Sequence, residues 1–226
     1  HEIKEAVALK EVKEPNPAAA MSNPKTQKKY QDMLRLPMVG RKDAEGNYIK
    51  GIEDYIDASQ YRLDKGDPDN GVLPKAIEKQ HPYQVVKDIL KNWQTLSVNG
   101  KFHAIFATSS IPEACDYYHL FKQMMGRDGL PELKIAGIFD ETIGNDDNAI
   151  PKEEALSEML DDYNKQFNQS FSIPKYGLYK KDVAKRLAHK KDYLGIERQH
   201  PEMQLNLVIV VDQMLTGFDS KWVNTL

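Results

Sequence analysis

The chain has 226 residues, of which 40% are apolar, and a formal net charge of −3, so it can bury a sizeable core and lacks the basic balance of a stand-alone nucleic-acid binder. No stretch approaches the run of about 20 apolar residues that a membrane span needs, and the charged start His1-Glu2-Ile3-Lys4-Glu5 lacks a signal-type apolar segment, which predicts a cytoplasmic protein. The single Cys115 excludes an internal disulfide framework. A start without Met and an end directly after a motif lead us to expect a fragment of a longer protein.

Residues 1 to 79 show little sustained periodicity, with Pro15, Pro17, Pro24, Pro37, Pro68 and Pro74 scattered among charges. The expectation is a partly irregular linker or the end of a preceding region, with one short helix from Lys25 to Leu36. Gly66-Asp67-Pro68-Asp69-Asn70-Gly71 is a turn cluster; its acids imitate a calcium loop, but Gly71 stands where the next oxygen ligand belongs.

From Pro82 the pattern sharpens. Val85, Val86, Ile89, Leu90 and Trp93 recur at helical spacing and predict an amphipathic helix over residues 82 to 96. After the Asn99-Gly100 turn, residues 102 to 108 read as a strand, and Ser110 with Glu113 has the spacing of a capping box, with Pro112 in the first turn of the helix that follows. Ala114, Tyr117, Tyr118, Phe121 and Met125 give that helix its apolar face, and residues 133 to 139 form the next strand. Strand, helix, strand is the parallel unit of an α/β lobe. A long connection, about 140 to 200, then opens on a polar loop, Asp140 to Asn148, and holds one helix near 152 to 168 and another near 178 to 190.

The last stretch, Leu205 to Asp219, is the most informative. Its nearly unbroken apolar run, Leu207-Val208-Ile209-Val210-Val211, predicts a central parallel strand, and Thr216-Gly217-Phe218-Asp219 comes where that strand's carboxyl end opens onto a ligand crevice.

Leu215-Thr216-Gly217-Phe218-Asp219, with Asn224-Thr225-Leu226, closely resembles the motif V segment of the motor and restriction subunit of type I restriction-modification enzymes. Three further pieces follow the same family in order: Phe102 to Ser110 with Tyr117-Tyr118 and Phe121-Lys122; Asp162-Tyr163-Asn164 with Phe167 and Phe171-Ser172; and Tyr179 through Lys185-Arg186. The resemblance spans about Pro82 to Leu226. It implies that residues 80 to 226 are the second RecA-like helicase lobe of a P-loop NTPase-type motor, truncated before motif VI, with a helical insertion between the second and third recognised strands. It also implies ATP and magnesium in the full-length subunit, double-stranded DNA as the track, and modification and specificity subunits as partners. The alternatives are a lobe of another superfamily-2 helicase or remodeller, or a non-catalytic α/β binding module.

The resemblance places Gly217 and Asp219 on the nucleotide side and Thr216 at a phosphate, whereas an ordinary glycine turn would use the same residues. Val211 departs from the threonine that many superfamily-2 proteins carry there. Ser109 and Ser110 stand at a strand-to-helix junction, where free N–H groups suit a phosphate and where helix capping would use the same serines. The basic stretch Lys180, Lys181, Lys185, Arg186, Lys190 and Lys191 is either a DNA-facing helix, with Lys181 and Lys185 touching phosphates, or a solvated face. Cys115 and His119 share a helix face without a second ligand pair, which favours a half-buried face over zinc. The sequence contains no Gly-x-x-x-x-Gly-Lys-Ser/Thr phosphate loop and no Asp-Glu magnesium box, so no catalytic residue is assigned and the isolated chain is expected to be inactive.

Overall fold

The computed structural model describes residues 2–56, 61–66, 68–70, 74–139, 152–211 and 220–225. It divides into two compact units, His1–Tyr61 and Arg62–Leu226.

The first unit holds helices α1 (Glu2–Val12), α2 (Pro17–Ser22) and α3 (Gln27–Arg35), followed by a short antiparallel hairpin of β1 (Arg41–Lys42) and β2 (Tyr48–Ile49). Of these the sequence pattern predicts only α3. Helix α1 spreads its apolar residues around the cylinder, so no stripe marks it; Ala8 and Val12, one turn apart, are buried with Ala20, Tyr30 and Met33 in a small separate core. Asn16 starts α2 by accepting the Ala19 N–H at 2.9 Å, with Pro17 in the first turn.

The second unit starts with a short 3₁₀ turn at Pro68–Asn70, inside the expected turn cluster, whose residues 67 and 71 lie outside the described set. Helix α4 (His81–Leu96) buries Val86, Ile89, Leu90 and Trp93. It ends in a left-handed turn through Val98, Asn99 and Gly100, with φ of 50°, 58° and 79°. Strand β3 (His103–Thr108), helix α5 (Ile111–Met124) and strand β4 (Ile135–Ile138) follow as predicted. Helices α6 (Lys152–Phe167), α7 (Tyr176–Leu187) and the short α8 (Ile196–Gln199) make up the insertion before β5 (Leu207–Val211), and β6 (Val223–Thr225) comes last. Helix α7 begins and ends earlier than the pattern predicts, leaving Lys190 and Lys191 beyond it. The polar loop from Asp140 to Asn148 lies outside the described residues.

The sheet order is β4-β5-β3-β6, and every pairing is parallel. The strand that arrives after the insertion therefore slots between the two that precede it. Its sequence accounts for the position: all five residues of β5 are buried, and an uninterrupted apolar strand needs cover on both faces.

The insertion packs on β4 through a glycine. A Cβ on Gly137 would stand 2.1 Å from Sδ of Met159, so a side chain here would force Met159 of α6 to move. From α7, Tyr179 donates to the Gly137 carbonyl at 2.8 Å. The Tyr176 hydroxyl both accepts the Phe139 N–H and donates to the Phe139 carbonyl, each at 3.0 Å. Side-chain hydroxyls thus occupy backbone groups along β4 that another strand would otherwise take.

Candidate functional site

The carboxyl ends of β3 and β5 lie side by side, with Thr108 in register with Val211. The Thr108 hydroxyl ties the two by donating to the Val210 carbonyl at 3.0 Å. Two segments singled out by sequence therefore leave the sheet at adjacent points: Ser109-Ser110 from β3, and residues 212–219 from β5. Thr216, Gly217 and Asp219 lie outside the described residues.

At the β3–α5 junction the serines are occupied. Ser110 is the N-cap, its hydroxyl accepting the Glu113 N–H at 3.4 Å. Glu113 reaches back and its Oε2 accepts both the Ser109 N–H and the Ser109 hydroxyl, each at 2.7 Å. The expected capping box is present in a shifted form, closing on Ser109 rather than on Ser110 itself. A carboxylate already sits at the positive end of α5 where a phosphate oxygen would go, so a phosphate contact at Ser109 requires Glu113 to swing out.

The basic stretch divides between two faces of α7. Lys181 is exposed and Lys185 half-buried, and neither pairs with a carboxylate among the described residues. Lys180 lies over the Tyr176 ring, 5.1 Å from its centre. Arg186, which the sequence groups with these lysines, is 1% exposed and does not face solvent. Its Nε donates to Asp182 at 3.1 Å and Nη1 to the Met203 carbonyl at 3.0 Å, while the guanidinium lies 4.0 Å from the Phe167 ring centre and 4.2 Å from that of Tyr193. Asp182 also accepts the hydroxyls of Tyr163 at 2.6 Å and Tyr193 at 2.5 Å. Arg186 is a cation at the centre of an aromatic cage, with its charge met by Asp182 and two of its nitrogens donating hydrogen bonds.

The remaining motif pieces anchor the insertion. Tyr118 and Lys122 on α5 both donate to Asp162 on α6, Tyr118 at 2.6 Å. Burial pushes the Asp162 carboxyl up, but these two donors carry it below its ordinary value. Asn164 pins the turn after α6 with paired bonds of 2.8 Å to the Phe171 N–H and carbonyl. Cys115 is buried, which raises its thiol to about 11, and His119 pairs with Glu158 at 2.8 Å.

A second polar cluster, which no motif flagged, joins His103, His189, Glu197 and Trp222 at the opposite end of β3. A lone His on an apolar strand gives no sequence signal, because its partners come from 86 and 94 residues further along the chain.

The model of domain 3 of the type I restriction enzyme R subunit matches residues 100–226. The chain belongs to this family. The endonuclease subunit of the type I restriction enzyme SauCOLORF180P from Staphylococcus aureus strain COL is 30% identical to it over 80% of the chain and 20% of that protein's length. The corresponding SauMSSORF170P subunit from strain MSSA476 aligns to the same extent, and the SsaAORF53P subunit from Staphylococcus saprophyticus is 31% identical over 66% of the chain and 16% of its own length. The chain spans about a fifth of the curated S. aureus relatives it matches. The family match covers the whole parallel sheet, α5 and the insertion. Among the described residues no helix is long and apolar enough to cross a membrane.

Proposed function

We propose that this chain is a segment of an R subunit that uses ATP to draw double-stranded DNA through a type I restriction complex and cuts it, in defence against foreign DNA. In this proposal residues 80 to 226 are the second RecA-like lobe of the motor, working beside modification and specificity subunits in the cytoplasm. The observation that supports it best is the register of Thr108 with Val211, which brings the Ser109-Ser110 junction and the exit toward Thr216, Gly217 and Asp219 to one edge of a parallel sheet. Ligands of open parallel sheets bind at that edge.

Nothing among the described residues fits the phosphates of a nucleotide or its magnesium. The α5 terminus is closed by Ser110 and Glu113, and among the described residues no group of three or more His, Cys, Asp or Glu side chains is arranged to hold a metal ion. In this proposal ATP and magnesium belong to the full-length subunit, and the chain on its own is expected not to hydrolyse ATP. Lys181 and Lys185, on the outer face of α7, are the proposed contacts to the DNA backbone outside the sheet edge.

Asp219→Ala in the assembled enzyme tests the assignment. DNA-stimulated ATP turnover and translocation should fall together while the melting temperature stays put, the outcome expected if Asp219 acts at the nucleotide and not in packing. Normal translocation by this variant would reduce Thr216 to Asp219 to a turn and withdraw its role at the nucleotide.

A further inference from the structure

His103, the first residue of β3, is buried, and its Nδ1 meets the Leu205 carbonyl. A carbonyl only accepts, so that nitrogen bears hydrogen. Burial pulls the His103 imidazole down to about 4, which keeps the ring neutral and leaves its Nε2 as an acceptor. Nε2 of His189 stands 2.7 Å away and therefore donates. The other nitrogen of His189, Nδ1, stands at ion-pair distance, 2.9 Å, from Oε2 of Glu197 on α8, and neither of these buried atoms has a hydrogen-bond partner among the described residues. A carboxylate, too, only accepts.

Counting donors and acceptors asks for one proton beyond two neutral imidazoles and a carboxylate in the His103–His189–Glu197 group, and burial, which keeps His103 neutral, assigns it to the His189–Glu197 pair. Without it, the lone pair on Nδ1 faces a carboxylate oxygen at 2.9 Å in a buried setting, where like-signed partners repel strongly.

The same group seats the chain where it returns to the sheet. The Trp222 indole stacks on the His189 ring, with centres 4.4 Å apart and planes 14° from parallel, the geometry in which an imidazolium gains attraction from an aromatic face. The Trp222 carbonyl accepts the His103 N–H at 2.8 Å. Ser220 donates from its hydroxyl to the Leu187 carbonyl at 2.9 Å and accepts the Trp222 N–H at 3.2 Å.

We propose that His103, His189 and Glu197 form a proton-held clamp on Trp222, with His189 a positioning residue that fixes where the chain re-enters the sheet after residues 212–219. Gain of one proton closes the clamp and its loss opens it. The proton reaches Nδ1 by way of Glu197, which lines an open cleft with Asn99, Lys101, Arg198 and Trp222. The charged groups facing His189 are His103 from β3, Glu197 from α8 and Lys221 from the stretch before β6, and Arg198 holds the other Glu197 oxygen at 3.3 Å. Burial draws the His189 imidazole below its ordinary range and Glu197 opposes it, so closure falls on the acid side. This inference stands apart from the assignment of residues 212–219 to the nucleotide.

Imidazolium quenches indole emission far more than neutral imidazole does. The chain has two tryptophans, so subtracting the spectrum of Trp222→Phe isolates Trp222. Between roughly pH 3 and pH 8, a window that reaches below the ordinary histidine range because burial draws His189 down, Trp222 emission should fall along a one-proton curve as pH is lowered. Nitrogen NMR should find both His189 nitrogens protonated below the midpoint, and the His103 amide should exchange more slowly there once intrinsic rates are divided out. His189→Gln should abolish the curve, and Glu197→Gln should move it about 1–3 pH units lower. Circular dichroism checks that each variant folds; should both variants unfold, the NMR titration of the unaltered chain decides. A flat Trp222 response, a curve that survives His189→Gln, or an Nδ1 that stays unprotonated throughout would overturn the clamp.

Discussion

Lys185 and Arg186 are sequence neighbours with the same charge, yet they project from different faces of α7 and do different work. Lys185 faces outward with no carboxylate partner among the described residues, whereas Arg186 is sealed between Phe167 and Tyr193 and bonded to Asp182 and the Met203 carbonyl. A basic run on a helix is thus two populations, sorted by the 100° step between successive residues. The outer one is available to phosphates; the inner one ties α7 to α6 and to the segment that leads into β5.

The largest effect expected from this contrast belongs to Arg186→Ala. Removing the guanidinium leaves Asp182 in a partly buried site without its cation, and breaking such a pair costs about 3–5 kcal/mol, read as a lower midpoint in urea denaturation. Lys185→Ala should stay within about 0.5 kcal/mol of the unaltered chain, yet in the assembled enzyme lower the salt slope of DNA binding by about 1. Equal stability losses for the two variants would erase the distinction between faces.

Gly137→Ala tests the β4 side of the same interface. Its new methyl meets Met159 Sδ, and overpacking of this kind costs about 1–3 kcal/mol, with part of the loss recovered when Met159→Ala is added. Additive losses in the double variant would show that α6 does not rest on that glycine.

Asp162→Asn should cost less stability than Arg186→Ala or Gly137→Ala. It weakens two charge-assisted bonds from Tyr118 and Lys122, worth about 1.5–3 kcal/mol to the ionised group and partly kept by the amide. The pH dependence carries a sign. The native carboxyl titrates below its unfolded value, so its contribution is fully present above the unfolded carboxylate value and lost as pH falls through the native one. The gap between the unaltered chain and Asp162→Asn should therefore be widest at neutral pH and close in acid; a gap that does not change with pH would remove charge from the account.

The motif pieces that reveal the family fall mostly on this inner, packing side. Tyr118, Lys122, Asp162, Tyr179 and Arg186 fasten helices to one another or to β4, and Asn164 pins the turn after α6. A family resemblance carried by such residues transmits the fold more directly than it transmits chemistry.

Sequence by itself determined the local elements of the second unit and their class. Helical spacing in α4 to α7, alternating strand and helix, and the apolar run of β5 depend on neighbours a few residues away, where the period of burial is written into the chain. It also determined the family, because pieces kept in order along the chain need no three-dimensional information. Helix α1 escaped because its apolar residues form no stripe, and its short helix is held by a core of only a few side chains. Tertiary structure alone decided that β5 lies between β3 and β4, that Glu113 closes on Ser109, that Arg186 turns inward, and that His103 meets His189 and Glu197. Each of these pairs groups whose partner depends on which way a side chain points, or on a segment tens of residues distant. No local period records such a choice; it is fixed only when burial forces every polar group to find a partner.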